Sequence, residues 1–233
     1  MTLNPKLDSS CVLALQFGEP GGKLAADQSI YEHHGTIYGA TRVKAIGGRG
    51  LQFDGVDDFV EIPEWGLGQY DKFTLSFWAY RYEENKEDDV MSNDGSDEDL
   101  LVVRLGDHSN WQEGKFMIYW GDSGYAFLSN TKIYKNRWYF IVVTGDLTTK
   151  RFQIYINGVL DRDDIYTHAN KWSASKIYLG KLLYEYYKGI VADVRIYDGI
   201  LSLKKIQALY IAPRRKIRGY DLNIVAHEIR SSR

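Results

Sequence analysis

The stretch LQFDGVDDFVEIPEW, Leu51 to Trp65, sets three carboxylates, Asp54, Asp57 and Asp58, around one glycine. Carboxylates so spaced can coordinate a cation, act as acid and base on a glycosidic bond, or accept hydrogen bonds from turn amides. Retaining hydrolysis needs two carboxyl groups about 5 Å apart. Here an Asp-Gly pair interrupts the strand pattern, so turn geometry decides where the side chains go. The expectation is structural. Asp54 and Gly55 build the turn, and Asp57 and Asp58 lead into the next strand with carboxylates toward solvent or nearby amides. The other acid run, EENKEDD from Glu83 to Asp89, lacks β alternation and reads as a loop. His33 and His34 are adjacent, which on a strand sends them to opposite faces. No Ser/His/Asp order stands out, and the residues point away from catalysis.

Binding chemistry has more candidates. Aromatic rings stack on sugar rings when exposed, although an aromatic is more often packing. Trp78 and Trp138 fall within strand patterns and read as core or half-buried. Trp65, Trp111, Trp120 and Trp172 fall in or near expected loops, and YEYYKG brings Tyr184, Tyr186 and Tyr187 before a late strand. Trp111, Trp120, Trp172, Tyr184, Tyr186 and Tyr187 are the candidate ligand contacts. Asp107, Asp122 and Asn130 are candidate partners for hydroxyls. Nothing in these residues selects a particular sugar.

A chain of 233 residues suits one all-β domain with a full core. The single cysteine, Cys11, excludes an internal disulfide and sits in an apolar run, where a packed thiol is the ordinary outcome. MTLNPKLDSS lacks the layout of a signal peptide, and no apolar run has spanning length, so a soluble chain without membrane insertion is expected. Net charge is −2 but uneven: nine acids face one lysine from Glu83 to Asp99, and six basic residues face two acids from Pro213 to Arg233. The acidic loop reads as solvated. The basic tail is short and interrupted by Ile217, Gly219 and Tyr220, a weak footprint for nucleic acid, so none is expected.

The elements that must position these residues are strands. FTLSFWAYRY alternates with Phe73, Leu75 and Phe77 on one face, and WYFIVVTGD, FQIYINGVL, KIYLGKL and VADVRIYDG read the same way. Asn157-Gly158 between IYI and VL is the strongest hairpin signal. One helix is expected after Ser202, where Leu203, Ile206, Leu209 and Tyr210 recur at helical spacing. Ser202 serves as N-cap and Pro213 follows the end. The expected domains are a sandwich over 1–212 and a basic tail or docking arm over 213–233.

Several segments resemble the laminin-G-like and pentraxin-like branch of the concanavalin A-like lectin/glucanase fold. They are AADQSIYEHHGTIYGA, LQFDGVDDFVEIP, FTLSFWAY, NRWYFIVVTGD with FQIYINGVL, and ADVRIYDGILSLKKIQALY. Together they cover most of residues 12–210 in the order of that branch. The resemblance implies a two-sheet antiparallel jelly roll with one short C-terminal helix, and binding of glycans, matrix or proteins rather than catalysis. Glycosidases of this fold share a Glu-x-Asp-x-x-Glu strand motif, and no strand here carries it. The resemblance also implies one structural calcium joining Asp27 to Asp193, against a bland alternative in which both accept hydrogen bonds from turn amides. Where relatives carry glycines and asparagines before the HG pair, this chain has Ile30, Tyr31, Glu32 and His33.

The run ALYIAPRRK resembles, more loosely, C-terminal extensions on laminin-G-like proteins of phage structural regions. The leading expectation is therefore a non-catalytic interaction module in a particle such as a virion. It would bind glycan or protein surfaces and self-assemble or dock on a capsid or tail partner through residues 213–233. A free-standing carbohydrate-binding lectin is the alternative, and a glycoside hydrolase comes third.

Overall fold

The computed structural model describes residues 8–65, 70–83, 88–94, 100–106, 114–120, 126–169 and 175–215. In chain order they form β1 (Cys11–Leu15), β2 (Leu24–Ala25), β3 (Gly35–Tyr38), β4 (Thr41–Ala45), β5 (Gly48–Asp54), β6 (Phe59–Trp65), β7 (Lys72–Arg81), β8 (Asp89–Asn93) and β9 (Leu101–Leu105). There follow β10 (Lys115–Trp120), β11 (Ala126–Lys132), β12 (Trp138–Asp146), β13 (Arg151–Ile156), β14 (Val159–Ile165), β15 (Ser175–Leu179), β16 (Lys181–Leu182), β17 (Glu185–Tyr186), β18 (Lys188–Asp198) and helix α1 (Leu203–Arg215). The fold is the expected all-β, two-sheet antiparallel jelly-roll sandwich with one short helix.

The first sheet runs β14-β13-β12-β7-β18-β5-β4, with β1 also paired to β18; the second runs β11-β10-β9-β8-β15-β6-β3-β2. Between them lies the main core, to which β7 contributes Phe73, Leu75 and Phe77 and β12 contributes Ile141 and Val143. The strand alternation decides this, because every second side chain faces inward.

The first sheet is apolar on its other face too. Trp78, Phe140 and Val142 point outward and are covered by Ile206, Leu209 and Tyr210 of α1. Tyr210 stacks on Trp78 at 5.6 Å. This second buried face explains why β7 and β12 are buried along almost their whole length, on both faces of the strand.

Helix α1 starts where expected, with the Lys205 amide donating to Ser202 Oγ at 3.4 Å. Its end differs from expectation. Pro213 lies inside the last turn rather than beyond it. The missing amide forfeits one hydrogen bond, worth about 1 kcal/mol, and packing offsets it. Pro213 is buried and lies so close over Gly47 that a methyl there would sit 2.6 Å from its Cβ. The first residue assigned to a tail is thus part of the packed helix, and residues 216–233 lie outside the described set.

The Asn157-Gly158 hairpin forms between β13 and β14, with φ of 53° and 78°, as a type I′ turn requires. The sheets are tied along one side where Asp161 of β14 accepts the amides of Asn130 (2.6 Å) and Thr131 (3.0 Å) of β11. Asn130 is thereby engaged within the fold. Among the described residues no helix is long and apolar enough to cross a membrane.

Candidate functional site

With α1 on the outer face of the first sheet, the outer face of the second sheet remains. In β6, Val60 and Ile62 enter the core, which turns Phe59 and Glu61 outward; in β15, Ile177 and Leu179 enter the core and Lys176 and Tyr178 face out. In β3, Ile37 faces in, Thr36 and Tyr38 out. Register then assembles them: Tyr38 lies opposite Phe59, Thr36 opposite Glu61, and Glu61 opposite Tyr178.

The three rings form one cluster. Tyr38 and Phe59 stack at 4.5 Å with planes 14° apart, and Tyr178 meets Phe59 edge-on at 6.1 Å. Lys181 of β16 sets its ammonium 4.6 Å from the Phe59 centroid and 5.1 Å from that of Tyr178, within cation–π range. It reaches there because Gly180, at φ 82°, turns the chain sharply over the Phe53 ring, where a Cβ would sit 2.4 Å from an edge carbon.

Polar groups border the rings. Lys176 pairs with Glu61 at 3.2 Å, and its backbone amide donates to Asp94 Oδ1 at 2.6 Å. Burial, helped by the Asp94 and Glu61 charges, holds the Tyr178 hydroxyl above its ordinary pKa, so it is a neutral donor at physiological pH. Apolar rings beside fixed donors and acceptors suit a saccharide, which has CH faces and hydroxyl edges. Sequence reasoning missed Tyr38, Phe59 and Tyr178. Each could be read as facing opposite its apolar neighbours, but the pairing of three non-consecutive strands could not.

The expected contacts that the structure describes divide between surface and core. Trp111 and Trp172 lie outside the described residues, as does the side chain of Trp120 at the end of β10. Tyr184 stands at the tip of the β16–β17 hairpin, 91% exposed. Tyr186 is half-buried and lies opposite Lys181, which places it beside the ring cluster. Tyr187 is a correction: it is fully buried, edge-on to Phe53 at 6.0 Å, and offers a ligand no surface. The run YEYY conceals this, because the hairpin ends inside it and the next residue turns into the core. Trp65 ends β6, buried and stacked on His33 at 4.2 Å.

The opening aspartates build the turn. Asp54 Oδ1 accepts the Val56 amide at 2.8 Å, and Asp58 Oδ2 accepts the Asp54 amide at 2.9 Å. Gly39, at φ 72°, permits this, since a Cβ there would lie 1.9 Å from Asp58 Oδ1. One oxygen from each of Asp54, Asp57 and Asp58 lies within 4.8 Å of the others, so the group could also hold a metal ion.

Asp27 and Asp193 do not fit a shared calcium. The Asp27 carboxylate already accepts four protein donors: the amides of Ala14 (2.7 Å), Ser29 (2.9 Å) and His33 (2.9 Å), and the Ser29 hydroxyl (2.6 Å). Asp193 is held by both arms of Arg195, a fixed positive charge that repels a cation. Calcium requires six to eight oxygens with free lone pairs, which these two no longer supply.

The fold is widely shared. It resembles domain 4 of AbnA, an extracellular GH43 arabinanase from Geobacillus stearothermophilus, in complex with arabinotriose, at 17% identity and TM-score 0.69, over 86% of this chain and 98% of that one. It also resembles botulinum neurotoxin type C, whose cell entry depends on two ganglioside molecules, at 16% identity and TM-score 0.67, over 88% of this chain and 51% of that one. A third likeness is Trypanosoma rangeli sialidase with 2,3-difluorosialic acid, at 17% identity and TM-score 0.66, over 93% of this chain and 34% of that one. The chain thus spans about half of the toxin structure and a third of the sialidase. At these identities the likeness establishes the fold alone. No curated protein matches by sequence. A laminin G family model covers residues 54–207, and the chain belongs to the concanavalin A-like lectin/glucanases superfamily.

Proposed function

We propose that the protein is a non-catalytic glycan-binding module whose site is the outer face of the second sheet, around Tyr38, Phe59 and Tyr178. The observation that carries this is the ring cluster bordered by Glu61, Lys176 and the Tyr178 hydroxyl. Structural neighbours that hold arabinotriose and sialic acid derivatives, or act through gangliosides, support the ligand class. The non-catalytic reading is supported by the carboxylates on this face. Glu61 is paired with Lys176, and Asp89 is clamped by Arg104 at 2.7 and 3.1 Å. A glycosidase needs carboxyl groups free to exchange a proton or attack.

A glycan array spanning arabino-oligosaccharides and sialylated chains tests the reading, with Tyr178→Ala as control. Binding by the wild type, weakened roughly tenfold or about 1.4 kcal/mol in the variant, supports it. An array without hits, or a variant that binds unchanged, refutes it.

A second role rests on charge. The excess of basic residues from Pro213 to Arg233 favours a docking arm on a particle or neighbouring subunit. Light scattering of the full chain against one ending at Arg215 tests it: the same number of subunits in both removes self-assembly through this segment.

A further inference from the structure

The β16–β17 hairpin is short, strained and conspicuously apolar at its tip. Leu182 pairs with Glu185, so Leu183 and Tyr184 form the entire loop. They are 71% and 91% exposed. Leu183 sits at φ 51°, where a two-residue turn ordinarily carries glycine. A leucine there costs on the order of 1–2 kcal/mol. The Asn157-Gly158 hairpin of the same sandwich fills its positive-φ positions with residues that suit them. The β16–β17 tip combines backbone strain with two large side chains that bury little.

The hairpin is tied to the ring cluster. Lys181 and Tyr186 are cross-strand partners, so their side chains share a face, and Lys181 reaches over Phe59 and Tyr178. Ser92 of β8 donates to the Lys181 carbonyl at 2.6 Å, and buried Leu182 anchors the base. The tip lies two residues beyond Lys181, about 7 Å at the rise of a strand, which is further than one pyranose ring extends.

We propose that Tyr184 is a second saccharide contact, so that the site takes an oligosaccharide of two or more units rather than a single terminal sugar. This rests on the outer-face reading above. A tyrosine offers a flat amphipathic ring with few torsions to freeze. Two side chains fall far short of the roughly 800 Å² per partner of a stable protein interface, which favours a small ligand over a protein.

Isothermal titration with arabinotriose against arabinose, and sialyllactose against sialic acid, tests the inference on the full chain. In the expected result, at least one trisaccharide binds more tightly than its monosaccharide. Tyr184→Ala then loses about tenfold on the trisaccharide, keeps monosaccharide affinity and melts like the wild type, whereas Tyr178→Ala weakens both ligands. Leu183→Gly is expected to melt at a higher temperature, since it relieves the turn. If Tyr184→Ala leaves trisaccharide affinity intact while Tyr178→Ala reduces it, the second contact is wrong and the outer-face site stands. If Tyr184→Ala weakens monosaccharide and trisaccharide alike, the oligosaccharide assignment is also wrong. If neither ligand pair binds, or Tyr178→Ala changes nothing, both proposals fall together.

Discussion

Arg195 grips Asp193 with two parallel hydrogen bonds, Nε to Oδ1 at 2.8 Å and Nη2 to Oδ2 at 3.1 Å. The pair spans a bulge in β18 between Ala192 and Arg195, where Asp193 takes a left-handed φ of 48°. Both side chains are 16% exposed, so the ion pair is mostly withdrawn from water. The guanidinium supplies positive charge where a divalent ion would otherwise be needed to balance Asp193. In an Asp54→Asn/Asp57→Asn variant, which takes away the other acidic group that could hold a metal, thermal melts in calcium and in EDTA are therefore expected to coincide. Arg195→Met, which strands the Asp193 charge, is expected to cost roughly 3 kcal/mol. A melting temperature of the Asp54→Asn/Asp57→Asn variant that drops in EDTA would overturn this account.

The helix is expected to be a structural lid. Tyr210, 7% exposed, stacks on Trp78 at 5.6 Å and on Phe140 at 6.0 Å. Tyr210→Ala should cost about 3 kcal/mol by analogy with buried aromatic truncations and admit water to Trp78. Chemical denaturation and tryptophan emission read both effects. An unchanged midpoint with unshifted emission would mean that α1 only rests on the sheet.

Cys11 should be inert in the folded protein. It is 1% exposed, its thiol donates to the Leu13 carbonyl at 3.3 Å, and burial pushes its pKa up to about 11. A thiolate near pH 8 is then scarce, and a reagent cannot reach it. Dithionitrobenzoate should titrate no thiol in buffer and one thiol in denaturant. Rapid labelling of the native chain would show that β1 opens.

Much of this architecture was legible in the sequence, because it depends on local rules. Alternation in FTLSFWAY placed Phe73, Leu75 and Phe77 inward, Asn157-Gly158 fixed a hairpin, Ser202 capped α1, and Asp54-Gly55 built a turn. The candidate site was less legible. Tyr38, Phe59 and Tyr178 become neighbours only through the order β3-β6-β15, which local patterning does not encode. Tyr187 looked like its neighbours Tyr184 and Tyr186, yet one residue of register sends it into the core. The helix runs past its expected end because the packing of Pro213 on Gly47 is a tertiary contact.

A final expectation concerns pH. His33 stacks on Trp65 at 4.2 Å with a buried Nε2 that has no partner, while its own amide donates to Asp27. Burial holds its pKa below the ordinary histidine value; the nearby His34 works in the same direction, and Asp27 opposes both. In the unfolded chain the imidazole titrates near pH 6.5. Just below that pH the unfolded state binds a proton that the folded state refuses. The contribution of His33 is thus complete above about pH 6.5 and is lost as pH falls toward the lower folded value. His33→Gln removes the titration but keeps a polar side chain of similar reach. Between pH 7.5 and 5, the wild-type melting temperature should fall more steeply than that of the variant. Parallel slopes would show that the ring on Trp65 accepts its proton freely, and that the stack does not depend on the neutral imidazole.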